Sequence, residues 1–268
     1  MNSILVVVIF IGLYAWDKTR KFAGYMLPWF LFGLCYDLMR YYPNYEVNAI
    51  DVRSLYEAER SLFGITTATG RIIPGEWFSL HTCAVADLLS GIFYLCWVPV
   101  PILFSIWLYA TRRYMWMVRF TWAFLLVNLI GFVGYYVHPA APPWYALQYG
   151  FTPVTGTPGN VAGLGRFDAM TGLGIFHGLY GKNANVFAAV PSLHAAYLLV
   201  TTIYSVLSGR RWYTSCFFAV LCVGIWWTAV YTTHHYIIDV LLGITTALVG
   251  VGLFEWVWHR IGKHFTFE

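Results

Sequence analysis

Six apolar stretches dominate the chain: residues 22–39, 88–110, 120–137, 188–207, 213–231 and 236–258. At ~1.5 Å of rise per helical residue, each approaches or exceeds the length needed to cross a hydrocarbon layer ~30 Å thick. The pattern predicts an all-α polytopic membrane helix bundle with a six-helix core, the whole of residues 1–268 forming one integral membrane domain. Residues 1–16 are apolar but short, and read either as a tilted or partial seventh span or as an uncleaved signal anchor. No basic residue precedes them and no small-residue cleavage site follows, which argues against a secretory signal.

The interruptions are of two kinds. Short charged ones occupy residues 17–21, 111–119 and 208–212, with a polar tail at 259–268. If the six spans alternate, Lys18, Arg20, Lys21, Arg112, Arg113, Arg119, Arg210, Arg211, Arg260 and Lys263 fall at one end, which the positive-inside rule makes cytoplasmic. The long ones, residues 40–86 and 138–187, are then external. Within the first, Val52, Leu55, Tyr56, Leu62 and Phe63 recur near helical spacing with charges between them. This predicts an amphipathic helix that either lies on the membrane surface or caps the bundle. The second is rich in Gly and Pro but carries Trp, Tyr, Phe and Arg, so it is expected to be an ordered lid or wall.

Composition supports the bilayer. The chain is 59% hydrophobic and only 10% charged, too little charge to cover a water-facing surface. The net charge of +4 is a loop asymmetry without a basic cluster, so nucleic acid is not an expected partner. The five cysteines contain no CxxC pair; Cys35, Cys96, Cys216 and Cys222 sit inside apolar runs and Cys83 stands apart, so no disulfide framework is expected.

The candidate chemistry lies at the external ends of the spans. His194 opens the fourth stretch in Pro191-Ser-Leu-His194, and His235 and Asp239 stand four apart before the sixth. On a helix, residues so spaced share a face, and a carboxylate there can fix the tautomer of the imidazole. Ionisable groups converging from different spans are a functional site by default. Two imidazoles and a carboxylate suit phosphoryl transfer through a phosphohistidine, one ring attacking phosphorus while the other moves the proton. The same three groups are also a plausible zinc ligand set.

Pro191-Ser-Leu-His194 and His235-x-x-x-Asp239 resemble the second and third motifs of the type 2 phosphatidic acid phosphatase superfamily. Ala141-Pro-Pro-Trp-Tyr145, Tyr149-Gly150, Gly163-Leu-Gly-Arg-Phe-Asp168, Val190-Pro-Ser-Leu-His194 and Thr233-His-His-Tyr236 are similar to the fungal inositol phosphorylceramide synthase branch, and Leu55-Tyr56 and Glu59-Arg-Ser-Leu-Phe-Gly64 also fit it. The resemblance spans roughly residues 40–245. It implies a six-helix phosphatidic-acid-phosphatase-type core, a catalytic region at about 120–258, and metal-free chemistry without a cofactor. The reaction it implies is transfer of phosphoinositol from phosphatidylinositol to ceramide, with release of diacylglycerol. Carried over by position, His235 is the nucleophile, Asp239 its orienting partner and His194 the acid/base.

This sequence departs from the superfamily where Thr228-Ala229 replaces a Ser-Arg pair and where Trp144 stands in place of an Arg found in related bacterial proteins. Guanidinium forks suit a phosphomonoester dianion, whereas a phosphodiester carries one charge. The loss therefore favours a phosphodiester donor. Arg166 and Lys182 are the expected phosphate contacts; Trp144 and Tyr145 either stack on a ring or anchor the loop at the interface, and His138 either lines the cavity or is structural. His81, Asp87 and His177 are weaker candidates for an inositol ring, while His234 is expected to pack or meet headgroups beside the reacting His235. Gly163 and Gly165 do not form a nucleotide loop, since no strand precedes them.

The expected partners are lipid substrates, phosphatidylinositol and ceramide; no protein partner is legible. The expected location is a bacterial inner membrane with the site on the periplasmic face, or alternatively a Golgi membrane with a lumenal site. Rival readings are a lipid phosphatase, or a headgroup transferase acting on phosphoethanolamine, phosphocholine or a polyprenyl phosphate. A transporter is the rival from another class, disfavoured because no inverted repeat and no matching pair of broken spans is present.

Overall fold

The computed structural model describes residues 3–181 and 185–262. Helices α1 (Ser3–Ala15) and α2 (Asp17–Leu38) form a hairpin at Trp16. The external segment holds α3 (Arg53–Phe63), an antiparallel hairpin of β1 (Ile65–Thr67) and β2 (Gly70–Ile72), and α4 (Pro74–Leu80). Then follow α5 (Ala84–Leu95), α6 (Pro99–Ala110) and α7 (Tyr114–Val137). The second external segment carries α8 (Pro143–Tyr149), α9 (Gly165–Thr171) and α10 (Ile175–Tyr180). The chain closes with α11 (Leu193–Leu207), α12 (Trp212–Tyr231) and α13 (Ile237–Ile261).

Three expected spans differ in detail. The stretch at 88–110 is two helices, α5 and α6, bent by 45° at residues 96–98. Pro99 and Pro101 supply the cause: proline lacks the N–H and restricts the residue before it, so one continuous ladder cannot form. The basic loop expected at 111–119 shrinks to a tight turn, because α7 starts at Tyr114 and carries Arg119 inside it. Residues 188–192 are not helical: Val190–Pro191 is a cis peptide and Ser192 caps α11 by accepting from Ala195 N. Among the described residues, four helices are long and apolar enough to cross a membrane, five if the bent pair counts as one span; the 15-residue α11 is shorter. The 13 residues of α1 also fall short of a full span.

The core is an aromatic seam between α2, α6, α7, α11 and α13, where Trp29, Phe104, Phe120, Phe124, Tyr197 and Tyr204 are buried together. Trp29 Nε1 donates to Ser105 Oγ at 2.9 Å, so the buried indole is satisfied. The basic turns gather at one end. Lys21 lies over the Tyr114 ring, Arg210 donates to Thr111 Oγ1, Arg113 donates to the Ser208 carbonyl, and Arg119 pairs with Glu255, which also accepts from Tyr204. His194 and His235 lie at the opposite ends of α11 and of the α12–α13 pair.

That far end is laced by irregular backbone. Asp51 N donates to Pro139 O, Ala141 N to Asp51 O, Ala140 N to Phe187 O and Ala189 N to Ala140 O, so both external segments and the approach to α11 form one platform. Leu55 and Glu59 of α3 are buried within the protein while Leu62 is exposed, so α3 packs one face on the bundle and turns the other outward. The second segment is the expected wall; Phe167 and Phe176 pack on Tyr94 of α5, and Phe167 lies where a side chain at Gly91 would be.

One glycine sets how closely α11 approaches α13. A Cβ at Gly243 would stand 2.1 Å from the Ser192 carbonyl oxygen, a backbone atom that cannot step aside. In an open helix, Gly→Ala is favourable by up to ~1 kcal/mol. Gly252, with nothing within 4 Å, is the matched control. Gly243→Ala is expected to lower the thermal unfolding midpoint in detergent and to lower activity, whereas Gly252→Ala leaves the midpoint unchanged or raised; a thermal-shift assay on both variants checks this.

Candidate active site

The loop between α12 and α13 is built by a helix stop of defined geometry. His234 N donates to Ala229 O and Thr233 N to Val230 O, the paired bonds of a Schellman motif. The residue at its left-handed position is Thr233, with φ of 59°, where glycine is usual. The strained turn is held from outside: Trp144 N donates to Thr233 O and Gly163 N to Thr232 O, both at 3.0 Å. The chain then reverses direction, and Tyr236 becomes the N-cap of α13.

His235 therefore precedes the helix instead of sharing a helical face with Asp239, as the spacing predicted. The pair still meets, by a different route. Asp239 is the third residue of α13 and folds back in a capping box, its Oδ2 accepting from Tyr236 N at 2.9 Å. The same oxygen lies 3.4 Å from His235 Nδ1. That distance is longer than a tight hydrogen bond, so the carboxylate faces the ring without closing on it. The Ala189 carbonyl also faces this imidazole and favours its protonated form.

His194 arrives on the second residue of α11. Ser192 N donates to the Asp239 carbonyl at 3.0 Å, and Trp226 Nε1 of α12 donates to Ala195 O at 2.9 Å, fixing the start of α11 against both neighbours. The result is a direct contact: His194 Nδ1 lies 3.1 Å from His235 Nε2. A proton must sit between the two nitrogens. With His235 Nδ1–H turned to Asp239, Nε2 of His235 is the acceptor and Nδ1 of His194 the donor. Burial pushes His235 down to about 4, so its ring is neutral at physiological pH.

His194 lines a cavity of about 360 Å³ whose walls include Tyr94, Trp97, Tyr135, Tyr180 and Tyr197. Trp97 and Tyr94 lie with ring centroids 4.5 and 5.0 Å from the His194 ring. His234 turns into an aromatic pocket between Tyr94 and Tyr180, its Nδ1 3.0 Å from Thr232 Oγ1. It packs, as expected, but because of the Schellman turn and not of helical rotation.

The other expected residues are dispersed. Trp144 and Tyr145 are buried with Ala141, Val186 and Phe187 and do not line the His194 cavity. Tyr145 OH donates to Thr152 O and accepts from Val154 N, a structural pairing. His138 Nε2 is 3.2 Å from Asp51 Oδ2. Arg166 is pinned by Asp87, Nε to Oδ1 at 2.6 Å, and Tyr231 donates to the same oxygen. Its second terminal nitrogen is buried without a partner among the described residues. His177 pairs with Asp168, and His81 stacks on Trp77. Lys182 lies outside the described residues. As to the zinc alternative, no three His, Cys, Asp or Glu side chains among the described residues are grouped as a metal site requires. Sequence reasoning missed the aromatic lining, since Tyr94 and Trp97 look like ordinary membrane-helix residues. It also missed Glu59, whose carboxylate reaches the first amides of α13 from a helix 178 positions earlier.

A phosphoinositol dihydroceramide synthase of Bacteroides thetaiotaomicron is 56% identical over 256 residues, covering 96% of this chain and 83% of that one. The inositol phosphorylceramide synthase catalytic subunits of Schizosaccharomyces pombe and Saccharomyces cerevisiae are 34% and 32% identical over 48% and 46% of this chain. These matches span only 31% and 30% of the two fungal proteins. No solved structure matches the chain significantly. The profile described as PAP2 superfamily matches residues 54–253, a range that holds both histidines, the aspartate and most of the platform around them, and the chain belongs to that superfamily.

Proposed function

We propose that this integral membrane enzyme moves phosphoinositol from phosphatidylinositol to the primary hydroxyl of ceramide, giving inositol phosphorylceramide and diacylglycerol. The observation that carries the reading is the approach of His194 Nδ1 to His235 Nε2 at 3.1 Å, with Asp239 behind the second ring. Kinship to a phosphoinositol dihydroceramide synthase supports the choice of headgroup and acceptor.

In this mechanism His235 Nε2 attacks phosphorus; a P–N bond forms as the P–O bond to diacylglycerol breaks. His194 gives its proton to the departing alkoxide. The acceptor hydroxyl then returns a proton to His194 while its oxygen attacks phosphorus and the P–N bond breaks. The phosphorus must come between the two rings, so their direct contact opens when substrate binds. The aromatic cavity beside His194 receives the lipid backbone, and the chains remain in hydrocarbon. Neutral His235 keeps its lone pair down to about pH 4, so its own protonation does not limit the reaction near neutrality. Arg166 supplies the phosphate contact through the terminal nitrogen that Asp87 leaves free. Trp144 serves through its backbone bond to Thr233, Tyr145 by packing beneath it, and His138 by pairing with Asp51. With the basic turns cytoplasmic, the site faces the periplasm of a bacterial inner membrane.

Purified protein with phosphatidylinositol and a fluorescent ceramide is expected to form inositol phosphorylceramide and diacylglycerol in equal amounts. His235→Ala and His194→Ala should each lower the rate roughly a thousandfold or more, and Asp239→Asn by a smaller factor. Release of inositol phosphate and diacylglycerol without the ceramide product would make the enzyme a phosphodiester hydrolase, and inorganic phosphate released from phosphatidic acid would make it a phosphatase. Arg166→Lys keeps the charge that balances Asp87 but loses the fork; KM for phosphatidylinositol is expected to rise about tenfold, with KM for ceramide little changed.

A further inference from the structure

Glu59 is one of the most deeply buried carboxyl groups outside the spans, at 1% exposure, and the mechanism above makes no use of it. It sits on the inner face of α3. Its two oxygens accept from the backbone of α13: Oε1 from Ile237 N at 2.9 Å and Oε2 from Ile238 N at 3.2 Å. Asp239 Oδ2 takes the amide just before them, Tyr236 N, at 2.9 Å. Two carboxylates from distant parts of the chain thus divide three consecutive amides at the positive end of one helix.

The division bears on catalysis. The first amides of a helix lack intrahelical partners and seek an acceptor. Asp239 is the acidic residue in the first turn of their own helix and already accepts from the neighbouring Tyr236 N. Without Glu59 those amides compete with His235 for its carboxylate. Glu59 also supplies negative charge at the helix N-terminus, which otherwise makes the nearby imidazole less basic. We propose that Glu59 is a positioning residue for the transfer reaction: it saturates the first amides of α13 so that Asp239 stays turned toward His235. The inference rests on the reading of His235 as nucleophile.

Burial raises the Glu59 carboxyl to about 7, with Asp239 adding to the shift and the two amides opposing it. Among the groups around it, Asp239 and Tyr236 face it from α13, Tyr56 lies on its own helix, and Arg60 is turned to Glu57. The ionised carboxylate offers two good acceptor oxygens and the protonated acid only one. The clamp is therefore complete above about pH 7 and weakens below it, so kcat should rise with pH through that value.

Initial rates of wild type, Glu59→Gln and His235→Ala on phosphatidylinositol and ceramide in detergent, from pH 5.5 to 8.5, test this. Wild-type activity lost in His235→Ala secures the underlying reading independently. Glu59→Gln is expected to lower kcat at pH 8 about 10- to 100-fold with both KM values little changed, and to abolish the inflection near 7. A Gln variant with wild-type kcat, a loss confined to KM, a retained inflection, or a wild-type profile flat through 7 would each overturn the proposal. If Glu59→Gln does not fold, Glu59→Asp decides: an intermediate kcat with the inflection kept supports it, and full activity or no inflection contradicts it.

Discussion

The site depends on what happens to the first turn of α13. Its free amides, its backbone carbonyl at Asp239 and its side chain at Asp239 each hold a different piece of the protein. The carbonyl accepts from Ser192 and so fixes the start of α11. The carboxylate caps Tyr236 and faces His235. The remaining amides are taken by Glu59 of α3. Three segments far apart in sequence are thereby registered on one helix end, and the contact between His194 and His235 follows from that registration.

Close backbone approach makes this registration possible in an environment where apolar surface gives little specific drive. Lipid tails are as apolar as the helices, so association relies on packing and on satisfied polar groups. Gly243 lets the Ser192 carbonyl approach within the space of a methyl group. The platform of short backbone bridges around Ala140 supplies the polar satisfaction. The ion pair of Arg119 with Glu255, joined by Tyr204, ties α7, α11 and α13 together at the opposite end.

Much of this was legible in the sequence, and the exceptions have physical causes. Apolar run length located the spans, and the charges located the two ends, because a bilayer imposes both. His194, His235 and Asp239 were visible as ionisable groups beside apolar runs. The break at Pro99 was readable in principle but was absorbed into one long apolar stretch. The helical relation assumed for His235 and Asp239 failed because a Schellman stop at Thr233, a residue rarely found in a left-handed position, is silent in composition. Trp144 and Tyr145 looked like ligand or interface aromatics; their burial depends on a loop fold that no local periodicity encodes. Glu59 was invisible as a partner of α13 because its contact is tertiary and spans 178 positions.

The central claim is that these two imidazoles handle one phosphorus atom in turn, through a covalent bond to His235. The most direct measurement is a rapid-quench experiment with inositol-labelled phosphatidylinositol and no acceptor. The account predicts a burst of about one diacylglycerol per enzyme together with acid-labile label on the protein, both lost in His235→Ala. Turnover that requires both lipids before any diacylglycerol appears, or label bound to a residue other than His235, would contradict it.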